Sequence, residues 1–325
     1  MSVPVYGQTA ATTFLDLEEI TGQPAQRVTD PTSELTIDAG TTIRHSGWRV
    51  ERTKVFEAML ELGFSNSRIA RFSNCGAAAW LMVRKDDPSK FRVAANTCKD
   101  RFCKVCQSSR TERIAANLSE QLEEGFFRFV TLTVRSTEQT LEEQLDHLYD
   151  SFKRLRRSKW WKSRVDGGVA FLEITFNHRS NQWHPHLHCV VSSSFLQQQE
   201  LSQHWHVASK DSFIVDVRAI RNRHHVARYV VKYATKPIPA KVVFEKSRLT
   251  EMMRALTGRR LILSFGNWQN LSLTDCPDSE GWECLMSLDV LFDNAKAGDE
   301  WAQKVIASLT TPSAYDGRLP ENFSP

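Results

Sequence analysis

The run Val169-Ala-Phe-Leu-Glu173-Ile-Thr-Phe176, a polar stretch through Asn177 and Asn181, and then His184-Pro-His-Leu-His188-Cys-Val-Val191 decides the fold. Two segments rich in β-branched and aromatic residues flank a short polar loop, the pattern of a β-hairpin. Side chains alternate faces along a strand, so His186 and His188 share one face while Leu187 turns to the other. Folding the loop about residue 180 sets Glu173 opposite His186 or, in another register, opposite His188, and opposed residues share a face. Two imidazoles and one carboxylate on a rigid face form a metal-binding edge that leaves coordination positions open. His184 is in phase with the pair and competes with Glu173 for the third place, although Pro185 bends the chain beside it.

The alternation continues on both sides of the hairpin. Phe127 to Val134 reads as a strand, and Leu141 to Arg157 as a helix with Leu141, Leu145, Leu148, Phe152 and Leu155 on one face. Phe213 to Ile220 reads as a strand, and Arg223 to Lys236 as a helix stopped by Pro237. The order β-α-β-β-(α)-β-α predicts an α+β fold: an antiparallel sheet of ferredoxin-like type with helices on one face. Trp48 to Leu62 carries a helical period, and short helices are expected at Leu15–Ile20 and Leu285–Ala297.

Charge divides the chain. Residues 1–40 hold one Arg against six acids, and residues 276–325 hold three basic residues against nine acids. The centre, 41–275, carries 38 Lys and Arg against 23 Asp and Glu, which is the footprint of a polyanionic partner. The apolar runs are strand-sized and interrupted by charge, so no membrane span is expected. The N-terminus lacks a basic-then-apolar signal pattern, and a cytoplasmic protein with reduced cysteines is expected.

Four of the seven cysteines cluster as Cys75, Cys98, Cys103 and Cys106. The two-residue gap between Cys103 and Cys106 lets both thiolates face one ion, and a distant cysteine can close a tetrahedral four-thiolate site. Four thiolates leave no open position, so Zn2+ here is structural. The organisation expected is a disordered acidic tail (1–44), a helical zinc-binding segment (45–118), the sheet domain (119–240), a basic extension (241–275) and an acidic C-terminal region (276–325).

On the helix expected at 223–236, Tyr229 and Tyr233 lie four residues apart on one face, with Lys232 and Lys236 beside them. A free phenol, with a pKa of about 10, is a poor nucleophile until a nearby cation or metal assists it. The run Arg154-Leu-Arg-Arg157-Ser-Lys-Trp160-Trp161-Lys162 mixes cations with indoles, a pattern suited to single-stranded DNA.

Taken together, these residues resemble the HUH endonucleases, and within them the rolling-circle replication initiators of plasmids and phages. Phe129-Val-Thr131-Leu-Thr133 resembles the first family motif, His186-Leu-His188 with an upstream Glu173 the second, and the paired Tyr-x-x-Lys runs the third. The cysteines resemble those preceding the nuclease in one plasmid group. That group often carries glutamate where this chain has Tyr229, so the pair is more similar to the two-tyrosine initiators. The resemblance implies Mn2+ or Mg2+ at His186, His188 and Glu173, and attack by Tyr233 on a DNA phosphate to form a 5′-phosphotyrosine. It further implies Tyr229 as acceptor in a second transfer, with Lys236 and Lys232 steadying charge. Origin DNA and single-stranded DNA are the implied partners, with a host helicase and polymerase. A single-strand transposase or relaxase of the same superfamily is one alternative. A non-catalytic zinc-containing DNA-binding regulator is another, from a different class.

Overall fold

Thr140 and Glu143 begin the helix that supports the sheet. Glu143 Oε2 accepts from the Thr140 backbone N–H at 2.9 Å while Thr140 Oγ1 accepts from Glu143 N at 3.3 Å, a reciprocal cap. The structure, a computed structural model, describes residues 14–16, 34–45, 47–122, 125–220, 238–239, 241–271, 273 and 281–310. In chain order the helices and strands are β1 (Phe14–Asp16), α1 (Ala39–Arg44), α2 (Arg49–Glu61), α3 (Asn66–Ser73), β2 (Trp80–Arg84), β3 (Phe91–Ala95) and α4 (Lys104–Gln121). Then come β4 (Phe127–Thr133), α5 (Leu141–Arg157), α6 (Lys159–Lys162), β5 (Gly167–Asn177), β6 (Gln182–Ser192), α7 (Gln198–Ser209) and β7 (Val215–Ala219). The last are α8 (Lys246–Leu256), β8 (Ile262–Gly266), β9 (Trp282–Ser287), α9 (Leu288–Lys296) and α10 (Glu300–Thr310). Two compact units result, 1–109 with 276–325, and 110–275.

The first unit is built on a sheet of order β1-β3-β2-β9. Its core joins Ile43, Leu81 and Val93 to Leu288, Leu291 and Val305. Three local expectations change here. Phe14–Asp16 pairs in parallel with Val93–Ala95 and is a strand, not the start of a helix, because sheet pairing overrides a weak local preference. Residues 34–44 are ordered, with Asp38 and Thr41 forming a capping box for α1. Leu285 and Met286 belong to β9, paired with β2; the helix starts at Leu288, where Ser287 Oγ accepts from Val290 N at 3.3 Å.

The second unit carries a sheet of order β7-β4-β6-β5-β8 in which every neighbouring pair is antiparallel. With α5 between β4 and β5, and α7 between β6 and β7, β4 through β7 form a β-α-β-β-α-β unit of ferredoxin-like type. Helix α5 buries Leu141, Leu145, Leu148, Phe152 and Leu155, each at most 1 % exposed and each contributing roughly 1.5–3 kcal/mol of transfer free energy. Phe152 meets Phe265 of β8 edge-on at 5.5 Å, on the sheet face that also carries Leu187 and Cys189. The other face is partly covered as well: Ile114 and Leu118 of α4, with Leu122 and Trp268, pack on Phe127, Phe129, Val169 and Val190. The histidines occupy the remainder of that second face.

The hairpin turn sets the register. Asn177 Oδ1 accepts from Arg179 N at 2.9 Å and from Ser180 N at 3.3 Å, and Asn181 takes φ +55°, a left-handed conformation that asparagine tolerates. Asn177 then pairs with Gln182, and Glu173 with His186. The helix expected at 223–236, with Tyr229, Lys232, Tyr233 and Lys236, lies outside the described residues. Among the described residues no helix is long and apolar enough to cross a membrane.

Candidate functional site

β5 and β6 bring Glu173, His186 and His188 together. Glu173 Oε2 lies 2.5 Å from His186 Nε2 and 2.7 Å from His188 Nε2, and the three side chains are only 11, 12 and 9 % exposed. Burial works against the Glu173 charge, but hydrogen bonds from both histidines and their positive charge outweigh it and hold the carboxyl at about 2. Burial pushes His188 below the ordinary imidazole range, which favours the neutral, ligating form. The register settles the competition for third place. His184 faces Thr175 and is not among the converging donors, and its carbonyl lies 3.2 Å from His186 Nδ1.

That carbonyl contact bears on the metal. A carbonyl only accepts, so His186 Nδ1 donates to it, and a cation between Nε2 and Glu173 would take the place of the proton these two share. Two imidazole nitrogens and a carboxylate meeting at one point suit a cation. For His188 the matching position is filled by Thr131, whose Oγ1 is 3.2 Å from Nδ1. Phe129 stacks on the same ring, with centroids 5.5 Å apart and planes 14° from parallel. Hydrogen bonding of the outer ring nitrogen is the usual way a metal-binding histidine is oriented. Thr131 of the first motif thus gains a structural role from its position on β4 opposite His188. The donor set fits a divalent ion such as Mn2+ or Mg2+.

In the first unit the cysteines converge equally well. Cys75 and Cys98 lie 23 positions apart, but they flank the β2–β3 hairpin, whose base is closed by Gly76 N to Asn96 O at 2.7 Å. Cys103 and Cys106 arrive on the turn entering α4. That turn is held by Asp100, which accepts from Phe102 N at 2.9 Å and pairs with Arg68 at 2.6 Å. The sulfurs are 3.8 Å (Cys75–Cys103), 3.5 Å (Cys75–Cys106) and 3.5 Å (Cys98–Cys106) apart. A tetrahedron with metal–sulfur bonds of about 2.3 Å has edges of about 3.8 Å, so four thiolates around Zn2+ fit with little adjustment.

Three residues absent from the sequence reading complete this site. Buried Arg44 donates to Cys106 Sγ at 3.4 Å; burial opposes its charge, yet the neighbouring Cys75, Cys106 and Cys103 raise its pKa. Buried Arg52 donates to the Phe72 and Ser73 carbonyls, and His45 contacts the Cys75 carbonyl at 2.7 Å. Two buried guanidiniums offset the negative charge that a four-thiolate centre carries. Only the folded unit brings them there, because 31 positions separate Arg44 from Cys75.

Of the adjacent tryptophans, Trp161 is core, at 3 % exposure. Trp160 is half-buried, stacked on His204 at 4.4 Å, and donates to Glu200 at 2.9 Å.

Comparison with known proteins places this pair of centres in context. A family model described as "Replication protein" matches residues 90–306. The chain belongs to that replication-protein family. "Protein rep" of Streptococcus pneumoniae serotype 2 is 25 % identical over 232 residues, covering 63 % of this chain and 72 % of the relative. "Protein rep" of Staphylococcus aureus is 27 % identical over 205 residues, 57 % of this chain and 90 % of the relative. "Protein rep" of Bacillus amyloliquefaciens is 28 % identical over 199 residues, 55 % and 58 %. No solved structure matches. Membership of the replication-protein family agrees with the resemblance to rolling-circle initiators.

Proposed function

We propose that this replication protein starts rolling-circle replication by nicking one strand of origin DNA and later rejoining it. The convergence of both histidine Nε2 atoms on Glu173 Oε2 carries the reading. A divalent ion held there, Mn2+ or Mg2+, would polarise the scissile phosphate and stabilise charge on its oxygens. Imidazole donors favour Mn2+.

The protein's own residues do the rest. The Tyr233 phenol oxygen bonds to phosphorus as the bond to the 3′ oxygen breaks, leaving a 5′-phosphotyrosine and a free 3′-OH for a polymerase. Tyr229, four residues away, accepts the strand in the second transfer. Lys236 and Lys232 steady phosphate and phenolate charge. The covalent link conserves the bond energy, so resealing needs no nucleotide. Glu173 and His186 keep their orientation through the hairpin register, and Thr131 keeps that of His188. The four-cysteine Zn2+ site holds its segment rigid, and a separate host helicase opens the duplex in the cytoplasm.

Incubation with single-stranded oligonucleotides and Mn2+, followed by a denaturing gel, tests the proposal. A protein–DNA adduct is expected that disappears in the Tyr229→Phe/Tyr233→Phe double variant. Persistence of the adduct in that variant would place the nucleophile elsewhere.

A further inference from the structure

The cations that close α5 have no part in the mechanism above. Arg156, Arg157, Lys159 and Lys162 fall within seven positions, and none pairs with an acid among the described residues. A helix C-terminus attracts positive charge, which accounts for Arg156 and Arg157. It does not account for Lys159, which follows Ser158 at the start of α6, where a cation is disfavoured. Arg156 lies over Phe152 and Phe265 at 4.8 and 5.2 Å, with its Nε buried and lacking a hydrogen-bond partner. Together with Lys162 and Asn267 it lines a cavity of about 580 Å³.

A second cavity, of about 380 Å³, meets the first at Asp166. Phe126 and Phe195 line it and are 69 and 68 % exposed. The two rings stand on adjacent segments joined by the hydrogen bond from Ser193 N to Phe126 O at 2.9 Å. Two cations without an acidic partner among the described residues, Arg156 and Lys162, in one cavity and open aromatic rings in the next are what a strand with unpaired bases requires: charge for its phosphates and π-faces for its bases. Duplex DNA supplies the phosphates but keeps its bases stacked internally.

We infer that this end of the second unit is a binding site for single-stranded DNA, with a backbone phosphate at Arg156 and Lys162 and bases stacked on Phe126 and Phe195. Gly167 marks that end of β5, six residues from Glu173, or about 20 Å along the strand. On the nicking reading, the site grips the displaced strand away from the reacting phosphate.

The test is fluorescence anisotropy on the full chain without added divalent metal. The probes are a labelled mixed-sequence strand of about 30 nucleotides, several times a minimal single-strand site, and its duplex. Phe126→Ala with Phe195→Ala removes only exposed rings and should weaken single-strand binding about fivefold or more, the low end for lost base stacking. Its salt slope and its duplex affinity should stay at the wild-type values. Lys162→Glu should make the single-strand salt slope shallower by about 0.7, one phosphate contact. Lys210→Glu, an exposed cation outside both cavities, should change the slope less. Single-strand affinity within twofold of wild type in the double Phe variant would overturn the site. So would an equal loss on duplex, or a slope change in Lys210→Glu matching that of Lys162→Glu. No strand is cut in this assay, so a missing adduct in the gel experiment sinks the nicking reading alone.

Discussion

Replacing Thr131 by valine removes one hydroxyl from the candidate metal site and changes the side-chain volume little. Thr131 sits opposite His188 across β4 and β6, and its Oγ1 lies 3.2 Å from His188 Nδ1. Ligation through Nε2 requires the proton on Nδ1, and the hydroxyl oxygen accepts it. Without that acceptor, the histidine loses a hydrogen bond worth about 0.5–1.5 kcal/mol and its tautomeric preference loosens. The Phe129 stack still fixes the ring plane, and His186 keeps the His184 carbonyl. Mn2+ affinity should therefore fall about tenfold, the low end for loss of an outer partner of a ligating histidine. Calorimetric titration of Mn2+ into wild type and variant measures this, with circular dichroism as the check on folding. Thr131→Ser keeps the hydroxyl and should bind Mn2+ as the wild type does. Affinity within twofold of wild type in the valine variant, or an equal loss in the serine variant, refutes the orienting role.

Other expectations follow from the same geometry. His186→Ala with His188→Ala should abolish cleavage while DNA binding persists; cleavage by that variant in the presence of chelator removes the metal assignment. Mn2+ affinity should decline as pH falls and the imidazoles protonate. Because the Glu173 carboxyl titrates at about 2, no second step should appear near the ordinary glutamate value of about 4.3. A step there would mean that the histidines do not hold the carboxylate ionised. Elemental analysis should find one zinc per chain, and Cys98→Ser should lose it together with thermal stability; a full zinc complement in the variant refutes the four-thiolate site. Among the described cysteines, Cys284 is the exposed one and should react first with a thiol reagent, with the four clustered thiols and buried Cys189 protected. Tyr229→Phe should still nick but fail to release a closed single-stranded circle, and normal release on a sequencing gel would leave Tyr233 as the sole nucleophile.

Much of the second unit was legible from residue pattern because its elements answer to local rules. Alternation across 169–191, the Asn-rich turn and the stripe of four leucines and one phenylalanine from Leu141 to Leu155 each act within a few positions. They therefore announce a hairpin, its shared face and its supporting helix. The spacing of the cysteines announced a thiolate cluster for the same reason. The sequence left open whether Glu173 meets His186 or His188, and whether His184 joins them. A one-residue slip moves every side chain to the other face, and only the paired turn excludes it. Long-range placement was beyond any local period. The strand at Phe14–Asp16, the pairing of β9 with β2, the covering of the histidine face by α4, and the arrival of Arg44 beside Cys106 join residues far apart in the chain. Such contacts form because the assembled unit buries apolar surface and pairs its polar groups, and no short stretch of sequence carries that information alone.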